Sequence, residues 1–138
     1  MAGLRGRCLC GAVRFEGRGA PGGVTPCHCG QCRRWSGGGP FMPVHFAGGV
    51  ALAEGAALAW YRSSETGERG FCSHCGSSLF WRRPGDPGDW AVSAAALPEG
   101  TAHRIARHVW VDDRPGWYDF TDDAPRLTAA ECLREDGT

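Results

Sequence analysis

The amino-acid sequence predicts a mainly β protein in which short strands are held together by metal-binding cysteines. Three observations support this fold class. Short apolar or alternating runs recur along the chain, and turn-forming residues, among them 22 Gly and 9 Pro, separate them. Eight cysteines fall into close groups instead of being scattered. No apolar period of helical spacing survives the glycines and prolines, so long helices are not expected.

Six segments have the pattern of short β-strands. In the first, Val13 and Phe15 alternate with polar residues, as in a strand with one buried face. Pro43 in the second cannot donate to a strand ladder, so this strand is expected at a sheet edge or a bulge. The six segments are GAVRFEG (11–17), PFMPVHF (40–46), ALAWYRS (57–63), SSLFWRR (77–83), WAVSAAAL (90–97) and HVWVD (108–112).

Turn-forming segments separate these strands, and we see no internal repeat, linker or low-complexity stretch. TAAECLRED (128–136) is predicted to be either a last helical turn or a loose tail. A length of 138 residues is typical of one domain, so a single zinc-binding domain is expected over residues 1–138. The turn segments are GRGAPGG (17–23), FAGG (46–49), SSETGE (63–68) and RPGDPGD (83–89).

Charge and composition argue against several classes of partner. The 15 basic residues balance the 15 acidic ones, so a nucleic-acid partner is not expected. All the basic residues are arginine, which excludes a lysine Schiff base. The first residues, MAGLRGRCLCGAVRF, lack the apolar run of a signal peptide, and no segment is long enough for a membrane span. We therefore expect a cytoplasmic protein with no membrane partner, whose cysteines serve metal binding or catalysis more often than disulfides.

Two of the cysteine groups together predict a structural zinc site. Cys8 and Cys10 form a C-x-C motif that leads into a strand, where residues i and i+2 share a face. Cys72 and Cys75 form a C-x-x-C-G motif, a tight turn in which Gly76 can adopt a positive φ and backbone N–H groups can bond to sulfur. Four thiolates complete a tetrahedral zinc site that would join the first strand to a distant hairpin. The alternatives are chance spacing or disulfides.

The third group, PCHCGQC (26–32), holds Cys27, Cys29 and Cys32. A closed structural zinc takes four ligands, whereas a catalytic zinc keeps three and leaves one position open for a substrate. Three thiolates make a soft site that favours a sulfur ligand, and a coordinated thiol loses its proton. The alternative is a second structural site, completed by Cys132, a histidine or an acid. Otherwise Cys132 is expected to be a free thiol near the chain end.

The residues beside the triplet are candidates for substrate contacts. Arg33 could hold a substrate carboxylate in a bidentate pair, although Arg33 and Arg34 could equally form a solvated face. Trp35 is a candidate for a pocket wall. His28 and His74, which lie between paired cysteines, are more often turn residues than ligands.

Taken together, four segments resemble the glutathione-dependent formaldehyde-activating enzyme family, which also includes centromere protein V. The resemblance implies stacked antiparallel sheets, the arrangement called a β-tent. It also implies a structural zinc on Cys8, Cys10, Cys72 and Cys75, and a catalytic zinc on the Cys27, Cys29 and Cys32 triplet. An open site of three thiolates could lose its zinc or be oxidised during preparation. The segments are CLCGAVRF (8–15), CHCGQCRRWSG (27–37), RGFCSHCGSSLF (69–80) and HVWVDDRPGWYDFTDDAPRL (108–127).

The family's named reaction, a carbon–sulfur lyase reaction, joins formaldehyde to glutathione as S-(hydroxymethyl)glutathione. The resemblance therefore implies an enzyme whose partners are a small thiol and formaldehyde or another small aldehyde. His28, His45 and Glu54 are candidates for the general acid. Two alternatives are a non-catalytic zinc-built binding module and a redox sensor in which the triplet loses zinc on oxidation. The oligomeric state is not predicted.

Overall fold

The computed structural model describes residues 3–99, 101 and 103–135. The chain consists of two compact units. The first comprises Met1–Gly22 and Pro43–Ala102, and the second comprises Gly23–Met42 and His103–Thr138. The single domain predicted over residues 1–138 stays a prediction.

In its described part, the first unit is built from eight strands in two antiparallel sheets. The strands are β1 (Leu4–Arg7), β2 (Arg14–Gly17), β3 (Pro43–Val44), β4 (Val50–Glu54), β5 (Leu58–Arg62), β6 (Glu68–Cys72), β7 (Ser78–Arg82) and β8 (Ala91–Ser93). One sheet has the order β1-β2-β4, and the other has the order β3-β8-β7-β6-β5. All neighbouring strands are antiparallel. The mainly β fold class predicted from the sequence is therefore confirmed.

Five of the six predicted strand segments contain a strand, and Pro43 lies as expected on an edge strand, β3. Three strands, β1, β4 and β6, were not predicted. In β4 only the first residue is buried, so the sequence lacks an alternating pattern there. In β6 the buried residues include Arg69, whose side chain is only 4% exposed and donates to Ser63 Oγ at 3.1 Å. A buried, hydrogen-bonded arginine is invisible to a pattern based on apolar residues.

Aromatic side chains join the two sheets of the first unit. Phe15 on β2 meets Phe80 on β7 edge to face, with ring centroids 5.0 Å apart, and both side chains are almost fully buried. Trp60 and Trp90 pack against Phe80. The Arg82 guanidinium covers the Trp60 ring at 3.6 Å from its centroid, so one charged group closes the edge of this cluster.

Gly6 has a packing role, because it stands directly opposite Phe15 in the β1–β2 ladder and the Phe15 ring occupies the space of a side chain. We expect Gly6→Ala to destabilise the protein by about 1–3 kcal/mol, because the buried ring must shift. Denaturant unfolding measures this change. The matched control is Gly22→Ala, because an added Cβ there makes only an ordinary contact at 3.7 Å. Equal stabilities of the two variants would contradict this packing role.

The second unit has two short helices in its described part, α1 (Gly30–Ser36) and α2 (Ala129–Glu135). A capping box begins α2: Thr128 Oγ1 accepts from the Glu131 N–H at 3.3 Å, and Glu131 Oε1 accepts from the Thr128 N–H at 3.0 Å. TAAECLRED is thus helical from Ala129 to Glu135, and Asp136 lies outside the described residues. No helix in the described residues is long and apolar enough to cross a membrane.

The strand predicted for HVWVD is wrong. His108 and Val109 make only isolated bridges, Trp110 adopts a left-handed conformation with φ 57°, and Val111–Asp113 forms a 3-10 turn. His108 is fully buried because its side chain belongs to a hydrogen-bonded chain of side chains, described below.

Candidate metal centres

The first unit brings Cys8, Cys10, Cys72 and Cys75 together. Cys72 ends β6 and Cys75 lies in the turn before β7, as the C-x-x-C-G motif predicts. The strand placement of the C-x-C motif is wrong: Cys8 and Cys10 lie in the bend between β1 and β2. Gly11, with φ 82°, makes this bend possible, and the two sulfurs converge through the bend instead of sharing a strand face.

The sulfur distances in this cluster match a tetrahedral metal site. All four Sγ atoms lie within 4.8 Å of one another. The Cys8–Cys10 and Cys10–Cys72 distances are 3.7 and 3.8 Å. A tetrahedron with Zn–S bonds of about 2.3 Å has sulfurs about 3.8 Å apart, whereas a disulfide requires about 2.05 Å. All eight cysteines are free, so the cluster has the donor set and spacing of a four-thiolate zinc site.

Hydrogen bonds reach the sulfurs of the C-x-x-C-G turn, and they favour the thiolate at Cys75. At Cys10, by contrast, a backbone hydrogen bond from Ala12 is outweighed by burial and the neighbouring cysteines, which raise the pKa to about 11. Cys72 Sγ accepts from the backbone N–H groups of His74 and Cys75 at 3.4 and 3.5 Å. The predicted positive φ of Gly76 is present at 80°. Hydrogen bonds from the Ser77 hydroxyl and backbone N–H lower the pKa of Cys75 to about 5. The turn is thus prepared for a cation before one is bound.

The second unit brings Cys27, Cys29 and Cys32 together around the start of α1. Cys27 lies in an extended segment that makes isolated bridges to Phe41 and Val109. Cys29 is the N-cap of α1, and its Sγ accepts from the Cys32 N–H at 3.4 Å. The sequence did not reveal α1, because the helix spans only seven residues and glycines flank it on both sides.

The three sulfurs form a compact group with no fourth ligand in the described residues. Their Sγ atoms lie within 4.8 Å of one another, and no His, Cys, Asp or Glu atom of the described chain joins them. The neighbouring Cys29 and Cys32, together with burial, raise the pKa of Cys27 strongly. Three thiolates at this spacing need a cation to offset their mutual repulsion. The donor set therefore fits a soft divalent ion with one free position.

A chain of four hydrogen-bonded side chains lies beside the triplet. His28 Nδ1 is 2.7 Å from the Tyr118 hydroxyl, and His28 Nε2 is 2.9 Å from His108 Nδ1. His108 Nε2 lies 3.0 Å from both carboxylate oxygens of Asp122. Both histidines are fully buried, and burial, followed by the charge of His108, lowers the pKa of His28 to about 4. His28 is thus neither a ligand nor a simple turn residue.

Sequence reasoning missed Tyr118, His108 and Asp122 as partners of His28. His28 and Tyr118 are 90 positions apart, and His28 and His108 are 80 apart. Backbone bonds set the pairing: the His28 N–H donates to Val109 C=O at 3.1 Å, and the Val109 N–H donates to Pro26 C=O at 3.0 Å. No local sequence pattern predicts such a contact between distant segments.

The other predicted site residues belong to both units. Arg33 is half-buried, and its Nε donates to the His28 carbonyl at 3.0 Å. Trp35 is half-buried against Phe41, with ring centroids 4.8 Å apart. His45 and Glu54, which were candidates for the general acid, belong to the first unit. His28, the remaining candidate, has both ring nitrogens engaged.

Comparison with known proteins matches the part of the chain that contains both cysteine clusters. The profile of the family described as glutathione-dependent formaldehyde-activating enzyme matches residues 3–113. An uncharacterized lyase of Schizosaccharomyces pombe is 27% identical over 97% of each chain. A Halomonas elongata protein, provisionally named as a glutathione-dependent formaldehyde-activating enzyme, is 30% identical over 85% of this chain and 80% of its own.

A solved structure resembles this fold as well. The crystal structure of a Rhodobacter sphaeroides protein, a structural-genomics target, has a TM-score of 0.55 and 26% sequence identity. The match covers 72% of this chain and 91% of that protein. The family profile spans both cysteine clusters and most of the chain, so the resemblance drawn from the motifs is confirmed. The chain belongs to the glutathione-dependent formaldehyde-activating enzyme family.

Proposed function

We propose that this protein is a zinc-dependent enzyme of the carbon–sulfur lyase type that joins a small thiol, such as glutathione, to formaldehyde or a related small aldehyde. One observation carries the proposal: three cysteine sulfurs converge, and no fourth ligand joins them in the described residues. The names of the relatives, a lyase and a formaldehyde-activating enzyme, support the same reaction class. Eight free cysteines suit a reducing compartment, and the proposed location is the cytoplasm.

The two cysteine clusters have different roles in this proposal. Cys8, Cys10, Cys72 and Cys75 hold a structural zinc that fastens the bend after β1 to the β6–β7 turn. Cys27, Cys29 and Cys32 are the catalytic metal ligands. Zinc bound by these three residues supplies a soft positive charge that favours the thiolate form of an incoming thiol near neutral pH.

The reaction is an addition without a leaving group. The thiol sulfur forms a bond to the carbonyl carbon, and the π electrons of the C=O bond move onto oxygen. The proton lost by the thiol ends on that oxygen. Because this addition also proceeds in water, the enzyme needs mainly to hold both reactants in register and to exclude competing nucleophiles.

Arg33 is the proposed contact for a substrate carboxylate. Its Nε is engaged by the His28 carbonyl, which fixes the guanidinium beside the triplet and leaves its terminal nitrogens for a bidentate pair. We expect Arg33→Ala to raise the KM for glutathione on the order of 10-fold, as expected for a charge-assisted hydrogen bond of about 1.5–3 kcal/mol. Arg34→Ala, an exposed neighbour, is the matched control. Equal KM values for both variants would remove Arg33 from the binding site.

Exchange NMR on zinc-loaded protein with glutathione and formaldehyde tests the proposed function. We expect catalytic amounts of protein to accelerate exchange between free glutathione and S-(hydroxymethyl)glutathione above the spontaneous rate. Absence of acceleration with two zinc ions bound per chain would contradict this substrate pair. It would favour a zinc-built binding domain instead.

A further inference from the structure

The four hydrogen-bonded side chains Tyr118, His28, His108 and Asp122 belong to neither cysteine cluster. Their arrangement therefore needs another explanation. Burying an imidazole is unfavourable unless its ring nitrogens find partners. Here all four ring nitrogens of His28 and His108 are engaged. The hydrogen bonds form one continuous path from Asp122 to Tyr118. The Tyr118 hydroxyl is the end of this path opposite Asp122.

Asp122 anchors the opposite end of the path. Burial raises the pKa of Asp122, but the hydrogen bonds from His108 and from the Ala124 N–H outweigh it and leave the pKa below its usual range. An ionised carboxylate only accepts, so His108 Nε2 donates to Asp122, and the other His108 ring nitrogen bonds to His28. The second His28 nitrogen is left for Tyr118. The ionised carboxylate thus fixes the direction of the hydrogen bond at its own end of the path.

Tyr118 is linked to the segment that holds the triplet through His28. Its hydroxyl bonds to His28, which stands between Cys27 and Cys29 in the chain, and its ring is stacked on the His28 ring with centroids 5.7 Å apart. Burial raises the pKa of Tyr118, and the charge of Cys27 acts in the same direction. A half-buried hydroxyl that bonds to the residue between two of the three cysteines is a candidate substrate contact.

We propose that Tyr118 is a further catalytic residue, whose hydroxyl hydrogen-bonds the aldehyde-derived oxygen of the thiol adduct, and that His28, His108 and Asp122 are positioning residues that hold this hydroxyl in place. The inference rests on the proposed function. During addition, the Tyr118 O–H donates to the oxygen that develops negative charge, while the Tyr118 oxygen accepts from His28 Nδ1. In the finished adduct, the new O–H donates to the Tyr118 oxygen when the Tyr118 O–H turns to His28. A hydroxyl has one donor and two acceptor sites, so the contact persists if the two hydrogens reverse.

The contact also defines the substrate class. It selects adducts with a free hydroxyl, S–CH(R)–OH, over thioethers, which carry no hydroxyl. A site built to bond a substrate hydroxyl discriminates strongly against an analogue without one, because its own polar group is then left unpaired. During addition, Tyr118 keeps its own proton. The S–C bond forms, the C=O π electrons move onto oxygen, and this oxygen takes the proton that the thiol released.

Replacing tyrosine by phenylalanine tests the contact with a control inside the same chain. Tyr118 and Tyr61 are the two tyrosines of the sequence, and Tyr61 is 64% exposed on β5 of the first unit. We expect Tyr118→Phe to lower kcat in the exchange assay on the order of 100-fold while KM for glutathione and zinc content stay unchanged. Tyr61→Phe should behave as wild type. A Tyr118→Phe variant as active as Tyr61→Phe would overturn the inference.

A second measurement does not depend on turnover. In the Tyr61→Phe background, ring-labelled tyrosine reports on Tyr118 alone. We expect its NMR signal to move when formaldehyde is added to protein that already holds glutathione, and to stay in place when S-methylglutathione replaces this pair. An equal response to S-methylglutathione would overturn the hydroxyl contact.

Asp122→Asn tests the positioning role, with the exposed neighbour Asp123→Asn as its control. We expect kcat to fall on the order of 10-fold in Asp122→Asn with KM for glutathione unchanged, because the amide no longer imposes one direction on its hydrogen bond with His108. If Asp122 had a purely structural role, Asp122→Asn would lower the melting temperature without lowering kcat selectively over KM. Wild-type protein that shows no acceleration would overturn the proposed function and this inference together, whereas wild-type acceleration kept in Tyr118→Phe overturns this inference alone.

Discussion

Cys72→Ser should prevent the first unit from folding. Cys72 is fully buried at the end of β6, and its sulfur receives two backbone N–H groups from the following turn. In the proposed structural site, it shares one ion with Cys8 and Cys10 from the bend after β1. Zinc held by such ligands contributes about 10–16 kcal/mol to folding, which equals or exceeds the about 5–15 kcal/mol stability of a typical domain.

Far-ultraviolet circular dichroism and zinc analysis of purified Cys72→Ser measure this effect. Cys132→Ser is the matched control, because Cys132 is also a buried free cysteine but belongs to neither cluster. We expect the control to fold with full zinc content. If Cys72→Ser were to fold with the wild-type melting temperature, the four-cysteine cluster would not be a structural site.

Cys27→Ser should abolish the acceleration of adduct formation and remove one zinc ion while the protein stays folded. The Cys27 sulfur is one of the three that would hold this ion, and no fourth ligand joins them in the described residues, so its loss leaves two. Serine is a poor replacement, because its hydroxyl is hardly ionised near neutral pH and is a hard oxygen ligand. Exchange NMR and zinc analysis on the same sample, with Cys132→Ser as control, measure both effects.

The fold of Cys27→Ser decides between the two interpretations of the triplet. Retained secondary structure with one zinc ion supports a catalytic site. Global unfolding with loss of both ions would make the triplet a second structural site. It would also remove the open position on which the proposed function depends.

The cysteine spacing allowed much of this site to be predicted, because C-x-C and C-x-x-C motifs restrict where their sulfurs can lie. It did not predict the bend at Gly11, since a positive φ there cannot be distinguished from a strand by the C-x-C spacing alone. Strands with one apolar face, such as β2, were predictable. The strand β6 was not, since Arg69 is buried through a hydrogen bond to Ser63.

The hydrogen-bond partners of His28 could not be predicted from sequence patterns. His28 meets Tyr118 and His108 because parallel backbone bridges align Cys27 with Val109. The contact depends on how chain segments 80 or more positions apart pair, and no local periodicity encodes this. The prediction of a strand at HVWVD was wrong because His108 is buried in a hydrogen-bonded path of polar side chains and not in a sheet.

Cadmium NMR on protein with both zinc ions replaced tests the central claim, which is that one site is closed by four cysteines and the other is open to a thiol. We expect two resonances in the range of sulfur-rich sites. Glutathione should move only one of them, and the moving resonance should be missing in Cys27→Ser. Two resonances that both ignore glutathione would contradict the account, since each ion would then be fully ligated by the protein.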